Sequence, residues 1–589
     1  MNNQELANLF RNVAAAYSIK DSKKFYFQIL AYQKASETIA STTSEIKDLY
    51  REGKLDTLAG IGVTIKSRLE ELFKKGHVTH FDFVFEGIPQ SVFTLINIPS
   101  IGPKKAYKLT KKLSLNNPKT VVDELINKAK KGEIAKIPTF GEKSEQDILQ
   151  VLLEYKAGKS KIVRMVLPYA AEIGEKIVAY LKESPGIINA VPLGSLRRMM
   201  PTVGDIDIAV ATDDPEKAIA HFVSYPYKER IIEKGPSTAS FLTSGDKQID
   251  LMVQPVDGFG ALLQHFTGSK NHNVHLREYA LKKGLSLSER GIKDLKKDKK
   301  LKKYDTEEKF YGALGMSWIP PEIRENQGEI ELAIKHKLPK LVELSDIKGD
   351  LHIHSSFPIE PSHDLGHNSI QEMVNYAKKL NYEYIGFSEH NPSISRHTKD
   401  QIYSLIARRN DYIEHIKLSN KDIRIIKLLE IDILTNGKLA VDDKSLNLID
   451  GAIVSIHSSF GMNKKEMTKR AINGLSHPKA KILAHPTGRL LNERPGYELD
   501  FDIIFDFCKT NNKALEINSW PERLDLPDRL IKQAVEHGVK LVISTDSHAL
   551  HHMKLMKYGV AMARRGWGTK NDIINTLSYI DFLEWLERG

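Results

Sequence analysis

Cysteine is almost missing from this sequence: among 589 residues, Cys508 is the single one. One thiol cannot form an internal disulfide, and it cannot build a metal cluster from cysteine ligands. This usage fits a reducing compartment such as the cytoplasm.

Long apolar runs are missing as well. No stretch approaches the roughly 20 apolar residues that a membrane-spanning helix needs. The first residues, MNNQELANLFRNV, lack the basic segment followed by an apolar core that marks a secretory signal. We therefore expect a protein that stays inside the cell and has no membrane partner.

Acidic residues are in the minority: 75 Asp and Glu face 86 Lys and Arg, giving a net charge of +11 and a pI near 9.1. A basic balance is typical of proteins that work along a phosphate backbone, although many basic proteins bind no nucleic acid. The densest basic run, residues 293–303, has no aromatic residue and predicts a solvated connector. Because hydrophobic cores stop growing near about 250–300 residues, the chain should contain several domains.

Three glycine turns of similar sequence punctuate the helical first part of the chain. They occupy residues 58–62 (LAGIG), 98–106 (IPSIGPKKA) and 137–143 (IPTFGEK). This is the helix-hairpin-helix pattern, in which backbone N–H groups at the start of the second helix bind a phosphate without reading bases. A glycine helix cap looks similar, but three turns in order favour non-specific DNA binding. The candidate DNA-binding residues are Gly60, Gly62, Gly102, Lys104 and Gly141.

Three aspartates on two strand-like segments form a second candidate site. In residues 204–208 (GDIDI) the period of two places both aspartates on one strand face, and Asp250 is flanked by apolar residues in the same way. Three carboxylates on adjacent strands can hold two divalent cations about 3.5–4 Å apart, and an all-oxygen site suits Mg²⁺. Just upstream, residues 194–198 (GSLRR) offer backbone donors, a hydroxyl and a guanidinium fork to phosphate oxygens.

Histidine-rich segments follow one another in the second half of the chain, where short β-runs alternate with helical patterns. That rhythm predicts a barrel of parallel strands with functional residues at the carboxyl ends of the strands. A mixture of histidine and carboxylate suits Zn²⁺ or Mn²⁺. Any one of these histidines is commonly a packed or surface residue, but several such segments in order indicate a metal centre. The segments are 352–354 (HIH), 388–390 (SEH), 429–432 (LEID), 455–457 (SIH), 485–489 (HPTGR) and 545–548 (TDSH).

Together these motifs resemble the family X DNA polymerases, in the bacterial and archaeal form that carries a polymerase-and-histidinol-phosphatase (PHP) domain. The resemblance covers essentially the whole chain and rests also on residues 266–273 (FTGSKNHN) and 319–325 (IPPEIRE). It implies a multidomain α+β and α/β fold: helical helix-hairpin-helix domains, a nucleotidyltransferase palm and thumb, and a distorted (β/α) barrel. The implied boundaries are 1–80 for a lyase-like DNA-binding domain, 81–158 for fingers with two further hairpin motifs, 159–262 for the palm, 263–320 for the thumb, 321–345 for a linker and 346–589 for the PHP domain.

The resemblance also implies roles for residues of the polymerase half. The residues that would bind catalytic Mg²⁺ are Asp205, Asp207 and Asp250. Those that would contact the incoming triphosphate are Gly194, Ser195 and Arg198. Those that would line the sugar and minor-groove side of the nucleotide are Phe266, Gly268, Ser269 and Asn273. The implied partners are dNTPs and gapped or nicked DNA, bound by a monomer.

For the second half, the resemblance implies a site with nine ligands for up to three Mn²⁺ or Zn²⁺ ions. The implied ligands are His352, His354, Asp364, His390, Glu430, His457, His485, Asp546 and His548. Relatives have a shorter segment after His-x-His, so three other residues are alternatives to Asp364, namely His363, Glu360 and His367. Arg489 is a candidate phosphate clamp, with an ordinary surface arginine as the alternative.

Three departures from the family pattern bear on function. His265 stands beside the sugar of the nucleotide, where tyrosine is usual, and residues 199–201 (MMP) replace small and polar residues in the triphosphate loop. Arg68 stands where lyase-competent relatives carry a Schiff-base lysine, and a guanidinium that stays protonated cannot act as that amine. Residues 27–28 (FQ) stand where relatives place basic residues that grip a 5′-phosphate. We therefore expect no deoxyribose-phosphate lyase activity, with Lys66 as the alternative nucleophile.

The sequence thus predicts a gap-filling repair polymerase whose second active site acts on 3′ ends as a 3′–5′ exonuclease, with 3′-phosphatase or abasic-site endonuclease activity as further alternatives. The expected setting is the prokaryotic cytoplasm, in association with the nucleoid. Two other functions stay open. One is a DNA gap-binding scaffold without catalysis, which the presence of all three aspartates disfavours. The other is a small-molecule phosphatase in the C-terminal half, which its linkage to a DNA-binding half disfavours.

Overall fold

The computed structural model describes residues 1, 3–41, 46–55, 61–98, 101–154, 156, 164–245, 247–296 and 300–588. The chain divides into two compact units. The first comprises Met1–Arg164, Thr243–Lys247 and Asn492–Arg494, and the second comprises Met165–Leu242, Gln248–Leu491 and Pro495–Gly589. Among the described residues, every helix is too short or too polar to cross a lipid bilayer.

The first unit is helical, as the sequence predicted. Its helices are α1 (Asn3–Asp21), α2 (Tyr26–Ser41), α3 (Ile46–Arg51), α4 (Val63–Lys75), α5 (Thr79–Phe85), α6 (Gln90–Leu95), α7 (Pro103–Lys112), α8 (Val121–Lys130) and α9 (Glu142–Glu154). In α4, Ile65, Leu69 and Leu72 recur at helical spacing and are all buried. Gly76, in the left-handed conformation at φ 79°, ends that helix.

The isoleucines of the hairpin turns are core residues. Ile98, Ile101 and Ile137 are buried with Phe140 in one apolar cluster of the first unit. The turns are therefore anchored from below by their apolar side chains. Gly102 and Gly141, the glycines of these two turns, are exposed.

The second unit begins with a mixed sheet. Its elements are β1 (Met165–Val166), α10 (Leu167–Lys182), β2 (Asn189–Pro192), α11 (Gly194–Arg197), β3 (Thr202–Val203), β4 (Ile206–Ala211), α12 (Pro215–Phe222), β5 (Lys228–Lys234), β6 (Thr238–Thr243) and β7 (Lys247–Gln254). The main sheet has the order β2-β4-β7-β6-β5, and β4 pairs with β7 in parallel. Ile206 and Ile208 are buried on one face of β4, which confirms the period of two in this segment.

A small antiparallel sheet and three helices follow. They are α13 (Phe259–Thr267), α14 (Lys270–Lys282), β8 (Leu285–Ser288), β9 (Gly291–Asp294), β10 (Leu301–Lys302) and α15 (Glu307–Ala313), and the strands lie in the order β10-β9-β8. The basic run at 293–303 connects β9 to β10, and its residues 297–299 lie outside the described part of the chain.

The rest of the second unit is a nearly closed parallel barrel, as predicted. Its strands are β11 (Gly349–Ile353), β12 (Tyr384–Phe387), β13 (Arg424–Asp432), β14 (Gly451–Ser455), β15 (Ala480–Leu483), β16 (Ala514–Asn518) and β17 (Lys540–Ser544). Its helices are α16 (Glu329–Ile334), α17 (Ile370–Lys379), α18 (Lys399–Ser419), α19 (Asp443–Leu446), α20 (Lys464–Leu475), α21 (Phe501–Thr510), α22 (Asp528–His537), α23 (Met556–Arg565) and α24 (Tyr579–Glu587). The strands pair in chain order, and a parallel bridge from Ile353 to Ser547 joins the two edges. The barrel therefore gathers the carboxyl ends of all these strands at one rim.

Candidate active sites

The three aspartates of the first site lie together. Asp207 and Asp250 are opposite each other in the parallel β4–β7 pair, and Asp205 precedes β4 directly. One oxygen from each carboxylate lies within 4.8 Å of the other two. Asp250 is fixed by hydrogen bonds from the Ser240 hydroxyl and from Gln248 Nε2, which lies 3.0 Å from Asp250 Oδ1. The register of the two strands therefore creates the cluster.

The electrostatics of these aspartates suit a bound cation. Burial and repulsion from Asp205 and Asp250 raise the pKa of Asp207 to about 7, and Arg198 opposes that rise. Carboxylates that repel one another in a partly buried site are a donor set for divalent cations, and all-oxygen ligands suit Mg²⁺. The residues present therefore fit the predicted metal pair.

Gly194 allows the phosphate-binding turn to approach these carboxylates. Its φ is 57°, and a Cβ at this position would lie 2.5 Å from Asp207 Oδ2. The Leu193 N–H also donates to the Asp207 carbonyl at 2.8 Å, which holds the turn against β4. Ser195 lies in α11, the short helix that starts at this turn. Only glycine permits so close an approach, so the turn and the metal site form one structure.

The two consecutive arginines have different partners. Arg197 donates from Nη1 and Nη2 to the Glu307 carboxylate at 3.0 and 2.7 Å, and Arg324 donates to the same carboxylate at 2.6 Å. Arg198 instead donates from Nε to Glu325 Oε1 at 3.0 Å and from Nη1 to the Thr267 carbonyl at 2.5 Å. Arg197 thus belongs to a buried ion-pair network, whereas Arg198 contacts the segment that carries the predicted nucleotide-binding residues.

The predicted sugar-side residues connect α13 to α14. Phe266 is half-buried in the last turn of α13, and Gly268 follows that helix with a φ of 69°. The Ser269 hydroxyl accepts the His272 N–H at 3.3 Å and caps α14. Asn273 Nδ2 donates to the His265 carbonyl at 2.7 Å, so it ties the start of α14 to the end of α13. The motif therefore shapes a rigid corner beside Arg198.

His265, which replaces the usual tyrosine, is held by a neighbouring arginine. Its Nδ1 lies 3.2 Å from Arg277 Nη2. Burial and the Arg277 charge lower the pKa of His265. A neutral imidazole that accepts a hydrogen bond from Arg277 is therefore the form expected at this position.

The hairpin glycines that the structure describes stand at helix starts. Gly62 and Gly102 are the N-caps of α4 and α7, and Gly141 directly precedes α9. All three are exposed, and in the described part of the chain a Cβ on each would meet nothing within 4 Å. Gly60, the remaining predicted glycine, lies outside the described residues. The open space above these glycines is compatible with the approach of a phosphate backbone.

The three helix starts differ in charge. Among the described residues, the first turns of α4 and α7 carry no acidic side chain, whereas that of α9 carries Glu142 and Glu145. Glu145 is buried and accepts the Ile134 N–H at 2.8 Å. Lys104, in the first turn of α7, is exposed and donates from Nζ to the Ser22 hydroxyl at 3.0 Å. The first two hairpins are therefore better anion sites than the third.

Arg68 lies in the middle of α4. Its Nη1 lies 3.6 Å from Glu71 Oε2, and its charge opposes the rise that burial causes in the pKa of Tyr32. Lys66, the alternative nucleophile, is half-buried on the same helix, and Phe27 is exposed over 80% of its surface. The predicted 5′-phosphate region thus presents an arginine and an exposed aromatic ring.

The predicted metal ligands of the second site gather at the carboxyl ends of the barrel strands. His352 lies in β11, and His354 follows it directly after the strand. Glu430 lies near the end of β13. Five further predicted ligands follow the ends of β12, β14, β15 and β17 within four residues, and they are His390, His457, His485, Asp546 and His548.

The Glu430 carboxylate is the centre of this cluster. Its Oε2 lies 3.1 Å from His352 Nε2 and 3.0 Å from His390 Nδ1. Its Oε1 lies 3.3 Å from His457 Nε2 and 3.1 Å from His485 Nε2. A carboxylate with imidazole nitrogens around both oxygens has the arrangement of a bridging ligand between metal ions.

Asp546 and His548 complete the cluster on the side of His354. Asp546 Oδ1 lies 3.3 Å from His354 Nε2. The possible ligand atoms fall into four groups, each within 4.8 Å, and these groups are His352, His354 and Asp546; His354, His390 and His548; His363, His390 and His457; and Glu430, His457 and His485. Successive groups share His354, His390 or His457, so the potential ligands form one continuous cluster.

The imidazoles of this cluster fit a transition metal. Among the described residues, Nδ1 of His354 and Nδ1 of His485 are buried and make no hydrogen bond. A buried polar atom without a partner is costly, and metal coordination removes that cost. Burial and the nearby His548 and His390 lower the pKa of His354 to about 3. His354 is therefore neutral, which is the form that binds Zn²⁺ or Mn²⁺.

The Asp364 carboxylate contacts two of the predicted ligands. Its Oδ1 lies 3.3 Å from His390 Nε2, and its Oδ2 lies 3.3 Å from His548 Nε2. His363 also faces inward, and its ring centroid lies 4.3 Å from that of His457. Asp364 thus contacts the two histidines that group with His354, whereas His363 lies on the other side of His390.

The two remaining alternatives have other partners. Glu360 lies 2.9 Å from His397 Nε2. The His367 N–H donates to the His548 carbonyl at 2.7 Å, so its backbone supports the ligand loop. Among the four alternatives, Asp364 and His363 are therefore two whose side chains contact predicted ligands.

Two carboxylates behind the cluster were missed by the sequence analysis as functional residues. Glu516 Oε1 lies 2.6 Å from His352 Nδ1, and Asp432 Oδ1 lies 2.8 Å from His457 Nδ1. A carboxylate on the outer nitrogen of a metal-binding histidine fixes the ring and raises its basicity. Glu516 lies within an apolar strand and has no motif around it, so no sequence signal marks it.

The arginines near the cluster also differ from expectation. Arg489 donates from Nε to the Arg523 carbonyl at 2.9 Å and from Nη2 to the Leu524 carbonyl. Its guanidinium therefore supports a loop. Arg523, on that loop, has its Nε 3.8 Å from Asp546 Oδ2 and faces the cluster. Arg523 is thus the better-placed partner for a substrate phosphate.

Three regions of the chain match known protein families. Residues 1–78 match the helix-hairpin-helix domain, residues 262–325 match the DNA polymerase beta thumb, and residues 350–520 match the PHP domain. Both the thumb beside the aspartate site and the barrel that carries the histidine cluster are thus identified independently of their geometry.

Several proteins are similar to the chain. The DNA polymerase/3′–5′ exonuclease PolX of Bacillus subtilis is 32% identical over 591 residues, which is 100% of both chains. DNA polymerase lambda of Rattus norvegicus is 24% identical over 304 residues, which is 48% of this chain and 47% of that protein. A probable phosphatase of Caldicellulosiruptor saccharolyticus is 22% identical over 191 residues, or 31% of this chain and 74% of that protein. The similarity to the Bacillus protein includes both candidate sites.

Proposed function

The chain belongs to the family X DNA polymerases that carry a PHP domain, and we propose that it is a gap-filling DNA polymerase and a 3′–5′ exonuclease in one polypeptide. The observation that carries the polymerase is the strand register that sets Asp207 opposite Asp250 beside the Gly194 turn. The observation that carries the second activity is the convergence of histidines on Glu430 at one barrel rim.

In nucleotide addition, the work of the chain is positioning. Asp205, Asp207 and Asp250 would hold Mg²⁺, and Ser195 and Arg198 bind the phosphates of a dNTP. When bound, cations at the aspartate site activate a 3′-hydroxyl, and cations at the histidine site activate a water molecule. At both sites they neutralise charge on phosphate oxygens.

At 3′-end hydrolysis, the nine proposed ligands hold Mn²⁺ or Zn²⁺. Glu516 and Asp432 orient His352 and His457 through their outer nitrogens. Arg523 stabilises the phosphate that leaves with the terminal nucleotide.

The proposed substrates are gapped or nicked DNA and dNTPs. Family membership and the net charge of +11 support binding to a phosphate backbone. We further propose that the chain acts as a monomer in the prokaryotic cytoplasm, in association with the nucleoid. We also propose that the same site removes 3′-phosphates or cleaves DNA at abasic sites, because both reactions hydrolyse a phosphoester.

One assay tests the proposed function. A labelled one-nucleotide gap is incubated with Mg²⁺ or Mn²⁺, with and without dNTPs, and read for extension and shortening. Extension with dNTPs and shortening without them are expected. Binding without either reaction would favour the scaffold, and hydrolysis of histidinol phosphate but not of a 3′-recessed oligonucleotide would favour the small-molecule phosphatase.

The hairpins predict a strong dependence of DNA affinity on salt. With at least two phosphate contacts and a log–log slope of about −0.9 for each, affinity for gapped DNA should fall about tenfold or more between roughly 50 and 200 mM salt. Lys104→Ala should reduce the slope by about one contact. The matched control is Lys111→Ala, an exposed lysine at the other end of α7. Equal slopes for both variants and the native chain would contradict the hairpin assignment.

Arg68 predicts the absence of lyase activity. Imine formation with an open-chain sugar needs a neutral amine, and arginine with a pKa above about 12 offers none near neutral pH. Borohydride should therefore trap little or no complex between the chain and a 5′-deoxyribose-phosphate end, and Arg68→Lys should gain some trapping. Efficient trapping by the native chain that is lost in Lys66→Ala would refute this prediction.

Asp364 and His363 form a matched pair of neighbours for testing the third ligand. Because Asp364 contacts His390 and His548, Asp364→Ala should slow 3′-end hydrolysis by more than the roughly 10–100-fold that loss of an outer-shell residue causes. His363→Ala should slow it by less than about tenfold, since its ring packs beside the ligands. Hydrolysis rates at saturating Mn²⁺ measure both, and the reverse order would make His363 the ligand.

A further inference from the structure

One arginine of the PHP domain contacts the nucleotide site of the polymerase. Arg565 is the last residue of α23, and its Nη1 donates to the Arg198 carbonyl at 2.7 Å. The same Nη1 lies 3.1 Å from Glu325 Oε1. That oxygen also accepts a hydrogen bond from Arg198 Nε at 3.0 Å. Arg565 therefore touches both the backbone of Arg198 and the carboxylate that orients its guanidinium.

The contact is buried and fully charged. The side chains of Arg565, Arg198 and Glu325 are 2%, 13% and 20% exposed. The other end of the Arg565 guanidinium donates from Nη2 to Asp528 Oδ2 at 2.5 Å, which anchors it within the PHP domain. Ion pairs with so little exposure are weakly screened, and charge-assisted hydrogen bonds fix geometry more strongly than neutral ones.

If Arg565 were lost, Glu325 Oε1 would keep its hydrogen bond from Arg198 and lose the one from Arg565. The carboxylate would then lose one of its two hydrogen-bond donors at Oε1, and the Arg198 carbonyl would lose its donor from α23. The orientation of Arg198 depends on both groups, because Nε is held by Glu325 and the main chain is held by Arg565.

From these contacts we infer that Arg565 is a positioning residue for nucleotide addition, through which the PHP domain sets the guanidinium of Arg198 on the incoming triphosphate. This inference rests on the proposed polymerase function and on the proposed role of Arg198. It makes the affinity for dNTP depend on a residue of the other catalytic domain. It requires no change in the metal-binding carboxylates.

The adjacent residue provides a matched control. Arg564 donates from Nε to Glu322 Oε1 at 2.8 Å and from Nη1 to the Val342 carbonyl at 3.0 Å. It therefore binds the same connecting segment as Arg565, but within the described residues it makes no hydrogen bond or ion pair with Arg198 or Glu325. Arg564→Gln removes a domain contact of similar kind and spares the nucleotide site.

The experiment is steady-state addition of one nucleotide to gapped DNA by full-length variants. Arg565→Gln should raise KM for dNTP about tenfold, the effect of losing one charge-assisted hydrogen bond, with little change in kcat or in KM for DNA. Arg565→Lys keeps the charge and one donor and should recover part of the loss. Arg564→Gln should retain the native KM, and 3′-end hydrolysis by each variant verifies that the PHP domain is folded.

A second comparison uses Glu325. If Arg565 acts through this carboxylate, Glu325→Gln and Arg565→Gln should raise KM for dNTP less than additively when combined. A native KM in Arg565→Gln, or equal increases in Arg564→Gln and Arg565→Gln, would overturn the inference. A native chain that adds no nucleotide would overturn the proposed polymerase, and this inference with it.

Discussion

Asp207→Ala is expected to abolish nucleotide addition and to leave 3′-end hydrolysis and DNA binding at native levels. The substitution removes one of the three clustered carboxylates that would hold Mg²⁺. Metal coordination supplies several kcal/mol of transition-state stabilisation, which corresponds to a rate loss of about 10³-fold or more. Single-turnover extension of a one-nucleotide gap measures the effect.

The control for this variant is Asp213→Ala, which removes an exposed aspartate just beyond the end of β4. It should extend at the native rate, because its carboxylate is outside the cluster. Asp207→Asn preserves the shape of the side chain and should be as inactive as alanine if charge on the ligand is required. Normal extension by either Asp207 variant would remove the basis of the polymerase assignment.

The sequence predicted those parts of the fold that follow from local periodicity. The predicted alternation of short strands and helices in the second half of the chain corresponds to β11–β17 and the helices between them. The alternation in residues 204–208 places Asp207 on one face of the strand and the buried Ile206 and Ile208 on the other face. The distance between Asp207 and Asp250, however, depends on the parallel pairing of strands separated by β5 and β6. Periodicity within one segment carries no information about that pairing.

Residues that act from a distance could not be predicted. Glu516 reaches His352 across 164 positions of the chain, and Arg565 reaches Glu325 across 240. Neither has a motif around it, because its role is created by tertiary packing. Arg489 illustrates the converse: the residue type and the segment suit phosphate, yet its donors face the carbonyls of Arg523 and Leu524. Sequence spacing does not determine the direction of a side chain, so the partners of Arg489 could not be predicted from its segment.

His352→Ala combined with His354→Ala is expected to abolish 3′-end hydrolysis and to leave nucleotide addition at its native rate. The two imidazoles face Glu430 and Asp546, so their removal leaves the site without two ligands of its most buried metal group. A hydrolysis loss of about 10³-fold or more follows from the several kcal/mol that metal ions contribute. Shortening of a labelled 3′ end in Mn²⁺ without dNTPs measures it.

His354→Ala alone separates loss of metal from loss of folding. Removal of His354 takes away an imidazole that contacts Asp546, whereas removal of His352 also frees Glu516, whose Oε1 lies 2.6 Å from His352 Nδ1. The proposed metal ligands lie at the ends of the barrel strands, whereas Arg565 contacts Arg198 and Glu325. We therefore expect nucleotide addition to depend on Arg565 and not on the histidines. Simultaneous loss of hydrolysis and extension in His354→Ala would show instead that the two reactions share one site.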